Sequence, residues 1–186
     1  MNAEITVPRR EKIFSSLNDK EAIILFAAEE AQLEKFKQDN DFLYLTGLEI
    51  PEAIYFAYNN RNLVTEMLFI QRSDPEKAIW TGTRMSREEA AKISGLDLVK
   101  IHYLDEFLEI LSAYCPIISK IWANIGIQEL DKPPSRQLFK LSPIRKRYPN
   151  IIIESIETLI TPFRKVKEEW ELQQLQRAID ITGKAI

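Results

Sequence analysis

Residues 22–27 read Ala-Ile-Ile-Leu-Phe-Ala, a continuous apolar run of strand length. A strand with one wet face alternates apolar with polar residues; an unbroken run implies cover on both faces, as in a sheet sandwiched between helices. Downstream, Ala53–Tyr58 and Val64–Ile70 are two further strands. The link Asn59-Asn60-Arg61-Asn62 has turn chemistry, so they form a hairpin. Asp41–Gly47 (Asp-Phe-Leu-Tyr-Leu-Thr-Gly) is aromatic and ends on glycine, and reads as a strand leaving through a turn.

Helices follow from caps and breakers. Pro8 suits a first helical position, and Ile13, Phe14 and Leu17 then share a face, giving a helix over 8–17. Ser86 and Glu89 form a capping box and Gly95 follows as a terminator, bounding a helix at 87–94. Residues 105–114 form a helix with Phe107, Leu108, Leu111 and Tyr114 inward, stopped by Pro116. Pro133-Pro134 opens another that runs to Arg147. Short strands are expected at 98–102, 121–125 and 151–153. The fold class is therefore α/β, a mixed, mostly parallel sheet with helices on both faces. Residues 168–186 are helical in pattern, with Trp170, Leu172, Leu175, Ala178 and Ile179 recurring at helical spacing. Nothing stops this helix, and the expectation is a cut inside an element of a longer protein.

Composition narrows the function. Across 186 residues, 45% are hydrophobic and 28% charged, a balance that supports a packed core rather than disorder. A net charge of −3 gives no global pull toward nucleic acid or anionic membranes. No apolar run reaches the ~18 residues of a membrane span, and the first thirty residues lack a signal-peptide pattern. The single cysteine, Cys115, rules out an intrachain disulfide and suits a reducing cytosol, so a cytoplasmic location is expected.

Catalytic constellations are not in view. His102 is the only histidine, no His-Glu-x-x-His pattern exists, and a ligand role would leave it only carboxylates for company; it reads as structural or surface. There is no Gly-x-Ser-x-Gly elbow and no glycine-rich phosphate loop. Cys115 reads as a buried, inert thiol. No catalytic and no metal-ligating residue is assigned. Residues 132–153 carry six bases (Lys132, Arg136, Lys140, Arg145, Lys146, Arg147) and no acid. The segment reads as a solvated helix face, with a nucleic-acid or acidic-partner patch as the rival.

Three segments together resemble the N-terminal domain of aminopeptidase P and its prolidase relatives. The first is Lys37–Gly47, KQDNDFLYLTG, with Leu48, Pro51, Glu52 and Ala53 continuing the match. The second is Ile79–Met85, IWTGTRM, similar to the family's Trp-x-Gly-x-Arg. The third is Phe163–Leu172, FRKVKEEWEL, followed by Ala178, similar to the linker that enters the family's catalytic domain. Two positions depart: Glu168 stands where Ser or Thr is usual, and Thr83 replaces a second arginine before Arg84. Both bear on subfamily.

The resemblance implies a division into a domain at 1–163 and, at 164–186, a linker with the first helix of a pita-bread catalytic domain. It implies a non-catalytic scaffolding, oligomerisation and cleft-wall role in an Xaa-Pro aminopeptidase, a metallopeptidase that removes the residue before proline. Two divalent ions, usually manganese, belong to the catalytic domain and not to this chain, which alone is not expected to be an enzyme. The implied partners are its own C-terminal catalytic domain, further copies of itself and a peptide substrate, with no nucleic acid and no membrane. Trp80, Arg84 and Tyr44 are the substrate-cleft or interface candidates, with Trp80 poised between core packing and projection into a neighbour's cleft. A prolidase or creatinase-like parent is the alternative, and a nucleic-acid or acidic-partner module a more distant one.

Overall fold

The computed structural model describes residues 3–30, 35–73 and 84–185. Strand β1 (Glu21–Phe26) lies at the heart of a six-stranded sheet with β2 (Ile54–Asn60), β3 (Leu63–Ile70), β4 (Ile101–Tyr103), β5 (Lys120–Ala123) and β6 (Ile152–Ser155). The spatial order is β4-β3-β2-β1-β5-β6. Pairings β3–β4, β1–β5 and β5–β6 are parallel, whereas β1–β2 and β2–β3 are antiparallel. β2 is thus the one strand that opposes the other five, and the mixed, mostly parallel sheet is as expected.

The apolar run of β1 is buried along its whole length. Alternate side chains feed two cores. Ile23 and Leu25 join Tyr55, Ala57, Leu68 and Ile70 on one face. Ala22, Ile24 and Phe26 join Phe56, Phe69, Ile121 and Ala123 on the other. The first face is covered by α1 (Ala3–Phe14), α2 (Asn40–Thr46), α3 (Arg87–Ser94) and α6 (Glu157–Lys165), through Ile13, Phe42, Leu45, Ala90 and Ile160. The second is covered by α4 (Phe107–Tyr114) and α5 (Arg136–Arg147), through Phe107, Leu111, Leu141 and Ile144. Helix α7 (Glu169–Ala185) completes the chain order. Beyond the β1–β5 ladder, the Asn124 side chain accepts from the Phe26 N–H at 3.0 Å and donates to its carbonyl at 2.8 Å, extending the pairing by one step.

Several expectations hold. The β2–β3 hairpin turns on Arg61 and Asn62, both at positive φ (51° and 67°), the conformation a two-residue primed turn requires. Ser86 and Glu89 close their capping box, and Gly95 ends α3 at φ 74°.

Others need correction. Residues 41–47 are not a strand: Asn40–Thr46 is helix α2. The Asp39 side chain accepts from the N–H groups of Asp41 and Phe42, and Gly47, at φ 71°, closes the other end. Helix α1 begins before Pro8, which sits inside it, and ends at Phe14. Leu108 faces solvent. Residues 98–100 form a 3₁₀ turn, leaving only 101–103 as strand. Helix α6 was not anticipated.

Candidate functional site

Two polar networks carry the residues singled out from the sequence. The first joins α1 to the first turn of α7. The Arg9 side chain, on α1, is only 1% exposed. Its guanidinium stacks over the Tyr44 ring at 4.0 Å from the centroid and lies 5.2 Å from that of Trp170. Its Nε donates to Glu168 Oε2 at 3.2 Å, and its Nη2 lies 3.0 Å from Glu171 Oε1. Trp170 Nε1 donates to the same Glu168 oxygen at 3.0 Å, and Lys12 Nζ to the other at 3.2 Å. Burial pushes the Glu168 carboxyl up, but hydrogen bonds from Trp170 and Lys12 and the charge of Arg9 outweigh it and leave it below its ordinary value.

Beside this clasp, Arg164 Nη1 donates to Asp41 Oδ1 at 2.8 Å. Asp41 is nonetheless raised: its burial and the neighbouring Asp39 outweigh the guanidinium. Tyr44, one of the three candidates, is buried as the platform under Arg9, and burial raises its hydroxyl.

The second network lies at the carboxyl end of the five co-directional strands. Arg84 pairs with Glu30, just after β1, at 3.2 Å. Arg136 pairs with Glu29 and lies 3.7 Å from Glu52, whose other oxygen accepts from Gln71 at 3.1 Å. Arg72, following β3, pairs with Asp105 at 2.9 Å and stacks on Tyr103 at 3.8 Å. Arg84 thus belongs to the strand-end network and Tyr44 to the clasp. Trp80 lies outside the described residues.

The basic segment does not present a uniform positive face. Lys132 pairs with Glu129 at 2.7 Å and Arg136 with acids from two other loops. Lys140 stands over the Phe26 ring at 5.4 Å; desolvation, then the Arg136 charge, holds its ammonium below the usual lysine value. His102 Nδ1 lies 3.3 Å from Glu106 Oε2 and its ring stacks on Phe69 at 5.4 Å, a packing role. Cys115 is a free, buried thiol, raised by desolvation. Among the described residues no three His, Cys, Asp or Glu side chains converge to hold a metal ion. Nor, among those residues, is any helix long and apolar enough to cross a membrane.

Comparison with known proteins places this geometry. The family described as "Aminopeptidase P, N-terminal domain" matches residues 7–121, more than half of the chain. The chain is 30% identical over 159 residues to Xaa-Pro aminopeptidase 3 of Mus musculus, covering 81% of the chain and 30% of that protein. It is 26% identical over 184 residues to Xaa-Pro aminopeptidase 3 of Dictyostelium discoideum, covering 94% and 33%. Its fold matches the low-pH form of Escherichia coli aminopeptidase P with a TM-score of 0.84 at 19% identity, over 100% of this chain and 44% of that one. The chain spans about a third of the length of these curated relatives.

Proposed function

The chain belongs to the aminopeptidase P N-terminal domain family, and from that premise we propose that it is the non-catalytic part of an Xaa-Pro aminopeptidase, one whose reacting groups lie in another domain of the same polypeptide. The observation that carries the reading is the contrast along α7. Its first turn is clasped to α1, whereas Leu172, Leu175 and Ile179, which share one face, are roughly half to two-thirds exposed. An apolar stripe of this kind on a helix fixed at one end is a surface built to be covered. In this reading the catalytic domain covers it.

The division is then a body of residues 1–163 and a segment 164–186 that leads into the catalytic domain. The break lies in the last turn of α6, and Arg164 reaches back across it to Asp41. Divalent ions such as manganese, when bound by the catalytic domain, would activate the attacking water. No residue described here serves that step. The strand-end network, with Arg84 at its rim, is the cleft-wall and self-association surface of the proposal, and Trp80 its candidate anchor. Tyr44 acts as a platform inside the clasp. The single buried thiol suits a reducing compartment such as the cytosol.

Assay of this chain with an Xaa-Pro peptide and manganese, cobalt or zinc should give no turnover. The gene product extended through its downstream coding sequence should be active. Turnover by the pure chain approaching ~10 per second, or an extended protein that cleaves no Xaa-Pro bond, overturns the reading. An extended protein that prefers Xaa-Pro dipeptides or creatine would select the prolidase or creatinase alternative. Trp80→Ala should leave the melting temperature of this chain unchanged and lower kcat/KM or weaken assembly of the extended protein. Heparin retention that depends on Arg145, Lys146 and Arg147 at moderate salt would favour the nucleic-acid alternative.

A further inference from the structure

We propose that Arg9 is a positioning residue: it sets the angle at which α7 departs from the sheet domain. The contacts that orient the start of α7 centre on this one buried side chain, with Lys12 adding a single, solvent-exposed bond to Glu168. Glu168, immediately before the helix, and Glu171, in its first turn, pair with the guanidinium, and Trp170 lies over it. The Glu168 N–H donates to Glu171 Oε2 at 2.9 Å, so one of the two carboxylates that hold Arg9, that of Glu171, also caps the helix. The guanidinium also rests on Tyr44, which α2 fixes in the core. From Leu172 to Lys184 every residue is exposed. The helix therefore behaves as a rod clamped in its first turn. Its 17 residues span about 25 Å, so a tilt of about 10° at the clamp moves the far end by about 4 Å.

A guanidinium suits this task where an ammonium does not. It is planar, so it can face aromatic rings while its edge pairs with two carboxylates in fixed directions. Lys at position 9 could keep the charge but not the plane. The reading of α7 as the approach to a catalytic domain enters only in the consequence: Arg9, distant in sequence, would govern where that domain stands. The angle itself is a property of this chain.

The test is a distance distribution between spin labels at Asn60→Cys and Lys184→Cys in a Cys115→Ser background, measured by double electron–electron resonance. Wild-type Arg9 should give one narrow distribution. Arg9→Met and Arg9→Lys should both broaden it and shift its mean by several ångströms, with an unchanged far-ultraviolet spectrum. If Arg9→Met fails to fold, Glu168→Gln with Glu171→Gln removes the same ion pairs from the more exposed side and should broaden the distribution alike. A wild-type distribution in Arg9→Met, in Arg9→Lys or in the double Gln variant overturns the proposal. That outcome would leave the family reading standing. Conversely, an inactive extended protein would sink the enzymatic reading without touching the angle.

Discussion

Arg10 Nε lies 2.6 Å from Glu66 Oε1, which pins α1 to the middle of β3. The guanidinium is 2% exposed and its Nη1 also donates to the carbonyls of Leu45 and Ser94, at 2.9 Å each. One buried arginine thus joins α1, α2, α3 and the sheet. The Glu66 oxygen additionally accepts the Tyr55 hydroxyl at 2.8 Å, and burial drives that hydroxyl well above its usual value.

Arg10→Met should therefore cost about 3–5 kcal/mol, because it removes the cation that pairs the part-buried Glu66 carboxylate and takes a donor from the carbonyls of Leu45 and Ser94. Urea denaturation of the variant is the check. Adding Glu66→Gln should recover part of the loss, as a neutral amide tolerates the site better than an unpaired charge.

Gly95→Ala should destabilise by more than about 1 kcal/mol. The residue sits at φ 74°, and an added Cβ would come within 2.7 Å of Val7 Cγ2 and 2.9 Å of Ala3 Cβ. Gly183→Ala is the contrast: nothing lies within 4 Å, so the change should only firm the helix, by up to ~1 kcal/mol. Thermal melts of the two variants should move in opposite directions, or the second not at all.

Acid should loosen the fold through Glu21 and Glu168. Burial raises Glu21, but hydrogen bonds from Trp122 (2.8 Å) and Asn18 (3.0 Å) outweigh it and leave it lowered, as at Glu168. A carboxylate whose folded value is depressed contributes stability that is fully present above its unfolded value. That stability is lost as pH falls through the folded one. The loss should thus begin at the ordinary carboxylate range and deepen below it, and Glu21→Gln should flatten the profile. Asp41 runs the other way: its raised value makes stability fall as pH rises through its window. Asp41→Asn should steepen the loss on acidification. Denaturant midpoints from pH 3 to 7 decide each sign.

Asn124→Ala should cost about 1–3 kcal/mol for each Phe26 backbone group it leaves unpaired. Amide exchange should then rise at Phe26 ahead of Ile24, whose neighbours remain in the ladder.

The sheet was legible in the sequence because burial on both faces leaves an unmistakable run, as at residues 22–27, and because Asn59–Asn62 marks a turn by chemistry alone. Helix α3 was legible through its caps. Helix α2 carries the same two signals, Asp39 before it and Gly47 after it, yet reads as a strand. Five of its seven residues are buried, so no polar stripe reveals a helical period. The clasp was hidden for a different reason. Arginines at 9 and 10 look like solvent-facing charge until the chain brings Glu66, Glu168 and Glu171 to them from distant positions. Local spacing holds no trace of such partners. The resemblance named Arg84 and Tyr44 but could not tell that they serve separate networks.

The lone reversed strand has a kinetic consequence. Because β2 runs against its neighbours, β1, β2 and β3 join as a consecutive meander, and the two-residue turn at Arg61-Asn62 closes its second half at small entropic cost. The β1–β5 ladder instead must bring residue 22 to residue 121. Chain closure over that distance is slow, so the meander is the natural nucleus and the β5–β6 half docks afterwards. Trimming the hairpin, as in Val64→Ala, should then retard refolding. Trimming β5, as in Ile121→Val, should chiefly hasten unfolding.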